Sequence, residues 1–245
     1  ADAEERLEQI AVRVGAARKQ FAEAETRMAA LRAGIERTAA RPEVVTRCLQ
    51  IAMPKSAVAG IAGVTNQQMD TAGALLTCSA ARKVSDDPAV HYGYARALTL
   101  EKRYAEANGI LTDPRMSDFA PALYTLGAAY NNGTGVRRDY RRAFELYRKA
   151  AAAGYPKARY SVGIYYSLGR TVPADHARAA EYLVAAVADG YAHPITQIHK
   201  LSNATTREIQ RELVRRGYLG PGDVDGAFGP TTRGALERLQ QSAGN

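Results

Sequence analysis

Residues 122–157 read ALYTLGAAYNNGTGVRRDYRRAFELYRKAAAAGYPK, and residues 158–193 read ARYSVGIYYSLGRTVPADHARAAEYLVAAVADGYAH. A shift of 36 residues lays Ala122, Tyr124 and Gly127 on Ala158, Tyr160 and Gly163. The same shift carries Tyr130 to Tyr166, Gly133 to Gly169, Ala143 to Ala179, Ala150 to Ala186 and Gly154-Tyr155 to Gly190-Tyr191. Self-similarity at this period is the mark of stacked helix-turn-helix units, each burying its apolar face only against a neighbour. Small Ala and Gly at fixed sites let paired helices approach, while Tyr and Leu fill the space between units. Of the 14 tyrosines, ten lie between 121 and 200, so most are expected to pack with their hydroxyls at the rim. The fold class read from this stretch is all-α, an α-solenoid.

The pattern Leu126-Gly127-x-x-Tyr130-x-x-Gly133-x-Gly135-Val136-x-x-Asp139, then Ala143-x-x-x-Tyr147-x-Lys149-Ala150-Ala151-x-x-Gly154, resembles the SEL-like branch of the tetratricopeptide superfamily. The second copy departs from it: Gly169-Arg170-Thr171-Val172-Pro173 replaces the Gly-x-Gly-Val turn, and Val184-Ala185 replaces Arg148-Lys149. Upstream, Gly93, Ala97, Tyr104, Ala105, Ala107 and Leu111 resemble a tetratricopeptide unit, and His193–Leu201 is expected to form a half-repeat capping helix. The array is placed at 86–204. The resemblance implies binding of a protein or peptide, with Tyr130, Arg137, Arg138, Arg141, Arg142 and Tyr166 as candidate partner-binding residues. Residues 121–204 hold 11 Lys/Arg against 5 Asp/Glu, most of the chain's net +8, which biases the choice toward acidic partners.

A second constellation follows: Gln210-x-x-Leu213, then Gly217-Tyr218, then Asp225-Gly226-x-Phe228-Gly229-x-x-Thr232, then Leu236, Leu239 and Gln240. Pro230 suits a first helical turn, and Gly226 and Gly229 permit positive φ in the connecting loop. Ile209, Leu213, Leu236 and Leu239 give each helix an apolar stripe, with Phe228 as the wedge between them. The arrangement, at 205–245, resembles the peptidoglycan-binding domain, a small three-helix module. Leu239 stands where that family usually has an aromatic residue. The resemblance implies peptidoglycan as partner and Gln210, Leu213, Gly217, Tyr218, Asp225, Gly226, Phe228, Gly229 and Thr232 as module residues. Asp225, Gly226, Phe228 and Gly229 also read as shapers of the loop, with contacts made by the surface they frame, by Tyr218 and by nearby Arg or Glu groups.

At the other end, Leu7, Ile10, Val14, Ala17, Phe21, Ala24, Met28, Leu31 and Ile35 step by three and four, a heptad seam ending before Pro42. Residues 1–41 are therefore expected to form one long coiled-coil-type helix. Its seam is satisfied either by a second copy, giving a homo-oligomer through residues 1–40, or by a helix folded back from 43–81. Residues 42–85 read as short helices near Glu43–Met53 and Asn66–Ala81. Cys48 and Cys78 would be buried thiols in a reducing compartment; the export implied by the wall module favours a disulfide, worth about 3–4 kcal/mol.

Several classes are excluded. No run approaches the roughly 18 apolar residues of a membrane span. The basic charge comes with no nucleic-acid recognition motif. His91, His176, His193 and His199 have no metal-ligand spacing, and no nucleophile elbow or phosphate loop is present, so no catalytic residue, metal or cofactor is expected. The start Ala1-Asp2-Ala3-Glu4 fits either a processed protein or an excised fragment. The reading is a non-enzymatic bacterial scaffold, periplasmic or otherwise exported to the envelope, that tethers a protein partner to peptidoglycan. Two alternatives stay open: the wall-targeting region of a larger peptidoglycan hydrolase or peptidase, and an exported signalling regulator or host-directed effector.

Overall fold

The computed structural model describes Glu25, residues 43–54 and residues 64–242. The heptad seam expected over residues 1–41 lies outside the described residues. Those described are helical and contain no strand. In chain order the helices are α1 (Glu43–Ala52), α2 (Thr71–Ala81), α3 (Pro88–Leu100), α4 (Tyr104–Leu111), α5 (Ala120–Asn132), α6 (Tyr140–Ala152), α7 (Pro156–Leu168), α8 (His176–Ala188), α9 (His193–Gln197), α10 (Asn203–Arg215) and α11 (Pro230–Ser242). Short 310 turns at Pro114–Met116, Ile198–Lys200 and Pro221–Asp223 punctuate them. None of the described helices is long and apolar enough to cross a membrane.

α1 and α2 form a pair crosslinked by the Cys48–Cys78 disulfide, with Cα atoms 4.9 Å apart. α2 starts at Thr71, later than the sequence pattern predicts, because Asn66–Gln68 is a turn and Asp70 caps the helix by accepting the Gly73 N–H at 3.0 Å. A distant residue fixes that turn. Arg96 of α3, 7% exposed, donates to Asn66 Oδ1 at 2.7 Å, to Ala52 O at 2.8 Å and to Val64 O at 2.9 Å. One guanidinium thus ties together the two ends of the connection between α1 and α2.

Pairs α5/α6 and α7/α8 are the two clear repeats. Their close approach explains the invariant glycine between copies: a Cβ on Gly127 would lie 2.8 Å from the Tyr147 ring, and one on Gly163 would lie 2.8 Å from Leu183. Asp139 and Asp175 cap α6 and α8 by accepting the N–H groups of Arg142 (3.0 Å) and Arg178 (2.9 Å). Tyrosine packs repeat on repeat: Phe144 stacks on Tyr165 at 5.4 Å, and the Tyr165 hydroxyl donates to Asn131 Oδ1 at 2.8 Å. The turns differ. Gly135 takes φ +70° with its α-carbon against α4, where a Cβ would sit 2.6 Å from Tyr104. Thr171 fills the corresponding place one repeat on and carries φ +67° despite its branched side chain.

The chain does not end its array with a half-repeat helix over His193–Leu201. α9 is only five residues long and gives way to the 310 turn Ile198–Lys200. This short path leads from the C-terminus of α8 back to its N-terminus, where Thr205 Oγ1 of α10 lies 2.9 Å from both His176 Nδ1 and Ser167 Oγ. α10 and α11 then cover the open face of α8. Ala180, Leu183, Val184 and Val187 of α8 share one core with Ile209, Leu213, Ala235, Leu236 and Leu239. The last two long helices therefore cap the solenoid, the job a terminal polar repeat does elsewhere.

Candidate functional site

The constellation at 205–245 is organised around Gln210, whose side chain is 1% exposed. Its Nε2 faces Asp225 Oδ1 (2.7 Å), Ala227 O (3.0 Å) and Thr232 Oγ1 (3.0 Å), and its Oε1 accepts the Gly226 N–H at 2.7 Å. Asp225 Oδ1 also accepts the Ala227 N–H at 2.8 Å. The Gln210 and Ala227 hydrogen bonds hold the Asp225 carboxyl below its usual range, so it stays an acceptor at neutral pH. Gly226 has φ +82°, and a Cβ there would lie 3.0 Å from Arg207 Nη2 and 3.1 Å from Asn203 O. Gln210, Asp225, Gly226 and Thr232 thus lock the loop onto the first helix, and Leu213 lies in the core.

Gly217 takes φ +78° just past α10, and the next N–H, of Tyr218, returns to Leu213 O at 2.8 Å. Tyr218 is half-buried; its hydroxyl meets Ser242 Oγ at 2.7 Å and its carbonyl accepts from Arg238 Nη2 at 2.9 Å. Phe228 is half-buried against the module core rather than wedged fully inside, and Arg233 lies 5.2 Å over its ring. Gly229, whose lack of a side chain permits positive φ, does not use it, and nothing stands within 4 Å of where its Cβ would be. What the module offers outward is Tyr218, Phe228 and the cations Arg207, Arg233 and Arg238. The sequence points to nearby Arg or Glu groups in general, and these three arginines carry no motif that singles them out.

In the array, Tyr130, Val136, Arg137, Arg138, Asp139, Tyr140 and Arg142 line a cavity of about 670 Å³ where α5 turns into α6. The Arg142 guanidinium lies 4.7 Å over the Tyr130 ring, and Arg138 and Arg170 lie 5.5 and 4.6 Å over Tyr140. One repeat on, Arg178 lies 5.7 Å over Tyr166, reproducing the Arg142–Tyr130 pair. Arg141 stands apart, exposed and 3.9 Å from Glu145. The sequence pattern thus names most of this cluster but misses Arg170 and Arg178, which sit in the copy whose turn departs from the repeat. At the opposite edge, Pro121, Tyr155, Lys157, Gly190 and Tyr191 frame a pocket of about 360 Å³. Burial and then the charge of Arg96 lower the Lys157 ammonium pKa, while burial drives Tyr155 well up and Tyr191 up to about 12. Among the described residues no group of three or more His, Cys, Asp or Glu could hold a metal.

Residues 120–155 and 156–191 each match the Sel1 repeat model, and residues 202–244 match the putative peptidoglycan binding domain. The chain carries two Sel1 repeats and a peptidoglycan-binding domain. The fold agrees with a crystal structure of a Sel1 repeat protein from Oxalobacter formigenes (TM-score 0.51, 18% identity), over 75% of this chain and 67% of that one. A protective antigen of uropathogenic Escherichia coli displaying an SLR fold is also similar, at 17% identity and TM-score 0.45, over 73% of this chain and 34% of that one. No curated protein matches the sequence. Neither the Sel1 repeat nor the peptidoglycan-binding domain is catalytic, and their combination is that of a wall-associated adaptor.

Proposed function

We propose that this chain is an exported bacterial envelope adaptor: its Sel1 array engages a protein partner, and its peptidoglycan-binding domain holds that partner at the cell wall. The observation that carries the reading is the shared core of α8, α10 and α11, with Leu183 and Val187 packed in one cluster with Leu213 and Leu236. A linker would let the two binding units point anywhere. A common core fixes the array relative to the wall, so that a captured partner is presented in one orientation and at raised local concentration. On the module the contacts to the wall fall to Tyr218 and Phe228 and the arginines beside them, since Gln210, Asp225, Gly226 and Thr232 are occupied in closing the loop. The disulfide between Cys48 and Cys78 is consistent with an oxidising compartment.

The test is co-sedimentation of the full chain with purified sacculi in high salt, against the double variant Tyr218→Ala/Phe228→Ala. Both rings are half-buried at the surface, so the variant is expected to fold. Retention of the parent chain and loss in the variant support the reading. Equal release of both in high salt would remove the wall from the account.

A further inference from the structure

The arginine cluster of the array has an unusual electrostatic situation. Arg137, Arg138, Arg142 and Arg170 gather around Tyr130 and Tyr140, and none of the four has an ion-pair partner among the described residues. Asp139 lines the same cavity, but its Oδ1 is engaged as the cap of α6. A guanidinium laid on a ring face is held in one orientation while its N–H edge stays free to donate. Arg138, Arg142 and Arg170 are held in this way, with Arg137 beside them. Gathering four cations around the one carboxylate of Asp139 costs self-repulsion, which an anion bound between them would relieve. The cavity is pre-organised for acidic oxygens.

Its place in the fold says where those oxygens come from. The cavity sits at the edge where α5 turns into α6, and Arg178 on Tyr166 repeats the pattern where α7 turns into α8. At that same edge Ser167 and His176 meet Thr205 in the first turn of α10. The other side of that turn carries the Asp225–Gly226 loop, with Gly226 against Asn203 and Arg207. The arginine edge and the module's loop therefore lie along one rim of a single body.

We propose that this rim is a second contact with the cell wall, in which Arg137, Arg138, Arg142 and Arg170 bind the free carboxylates of peptidoglycan stem peptides while the module holds the polymer beside them. The proposal rests on the wall-binding reading above. A polymer bearing carboxylates at intervals along its length can reach both sites at once, and the shared core keeps the two in register. The opposite edge, with Tyr155, Lys157 and Tyr191, is then left for the protein partner.

The experiment measures binding of the full chain and of Arg137→Gln/Arg138→Gln/Arg142→Gln/Arg170→Gln to native sacculi and to sacculi whose carboxylates have been amidated chemically. Circular dichroism and melting temperature check that the variant is folded. The expected result at low salt is about tenfold weaker binding of the variant to native sacculi, with a similar loss for the parent chain on amidated sacculi. The variant should be indifferent to amidation. Equal binding of parent and variant to native sacculi would overturn the proposal. So would a variant that keeps its wall affinity but loses affinity for poly-glutamate, which would make the rim a docking site for an acidic protein. If the parent chain binds no sacculi at all, the wall reading of the module itself has failed, an outcome distinct from equal binding by both chains.

Discussion

The peptidoglycan-binding domain and the arginine edge of the Sel1 array are opposites. In the first, the hydrogen-bonding residues of the sequence signature are spent on the loop: Gln210 satisfies Gly226, Asp225 and Thr232 and has nothing left for a ligand. Of the signature's side chains, the Tyr218 and Phe228 rings stay part-exposed beside the arginines. In the second, the residues that form the repeat signature pack the helices, and the arginines between them face outward with free donors. A signature in a small helical unit marks what the backbone requires. The side chains left at the surface are those the backbone does not use.

The sharpest break of this comparison is Gln210→Ala. If the Gln210 side chain is a structural bracket, its loss strands the buried Gly226 N–H and the Thr232 hydroxyl at a cost of about 3 kcal/mol, read by chemical denaturation. A variant of unchanged stability would mean the bracket is not structural. Nearly as large is the loss expected on replacing Cys48 and Cys78 together by Ala, about 3 kcal/mol, because the crosslink limits the unfolded chain. The arginine edge should respond in the opposite way: Arg137→Gln with Arg138→Gln should leave stability within about 0.5 kcal/mol, since no carboxylate is orphaned.

His91 offers a pH test at the other end of the array. It is 3% exposed, with Arg82 Nε donating to its Nδ1 at 3.0 Å and Nε2 placed 3.2 Å from Ser85 O. Burial first, then the charges of Arg115 and Arg82, lower its pKa below 6.5, while Asp113 and the Ser85 carbonyl oppose the shift only in part. The unfolded chain therefore binds the proton more readily than the folded one. His91 costs no stability above pH 6.5, and stability falls as pH drops from there through the folded pKa. Denaturation between neutral and mildly acidic pH should show this loss in the parent chain and a flatter profile in His91→Gln. The two turns should respond with opposite signs: Thr171→Gly relieves φ +67° and should stabilise by about 1 kcal/mol, whereas Gly135→Ala should destabilise, since Tyr104 and Asn108 occupy the space, both read by chemical denaturation.

Much of the fold was legible because its requirements are local and repeat. Gly127 and Gly163, Ala143 and Ala179, and the caps Asp139 and Asp175 recur because each repeat solves the same packing problem. What was not legible is non-local. The start of α2 depends on Arg96 holding Asn66 from 30 residues away, which no window of sequence contains. The capping helix expected at His193–Leu201 is replaced by α10 because the face of α8 is covered from beyond the repeat. Arg170 and Arg178 join the arginine edge through rings that include Tyr140, from the preceding repeat, and Tyr166. For the module, the sequence points to the right loop, while its outward arginines, Arg207, Arg233 and Arg238, follow no pattern.

The claim on which the adaptor rests is that the array and the wall module are one body, and native-state hydrogen exchange on Leu213→Ala tests it most directly. Leu213 is wholly buried in the cluster shared with α8. Its truncation should lower protection of α10 by about 3 kcal/mol and should lower protection of the α8 amides from Ala180 to Val187 with it. Loss confined to α10 and α11, with α8 protected as in the parent chain, would contradict the shared core and with it the fixed presentation of a partner at the wall.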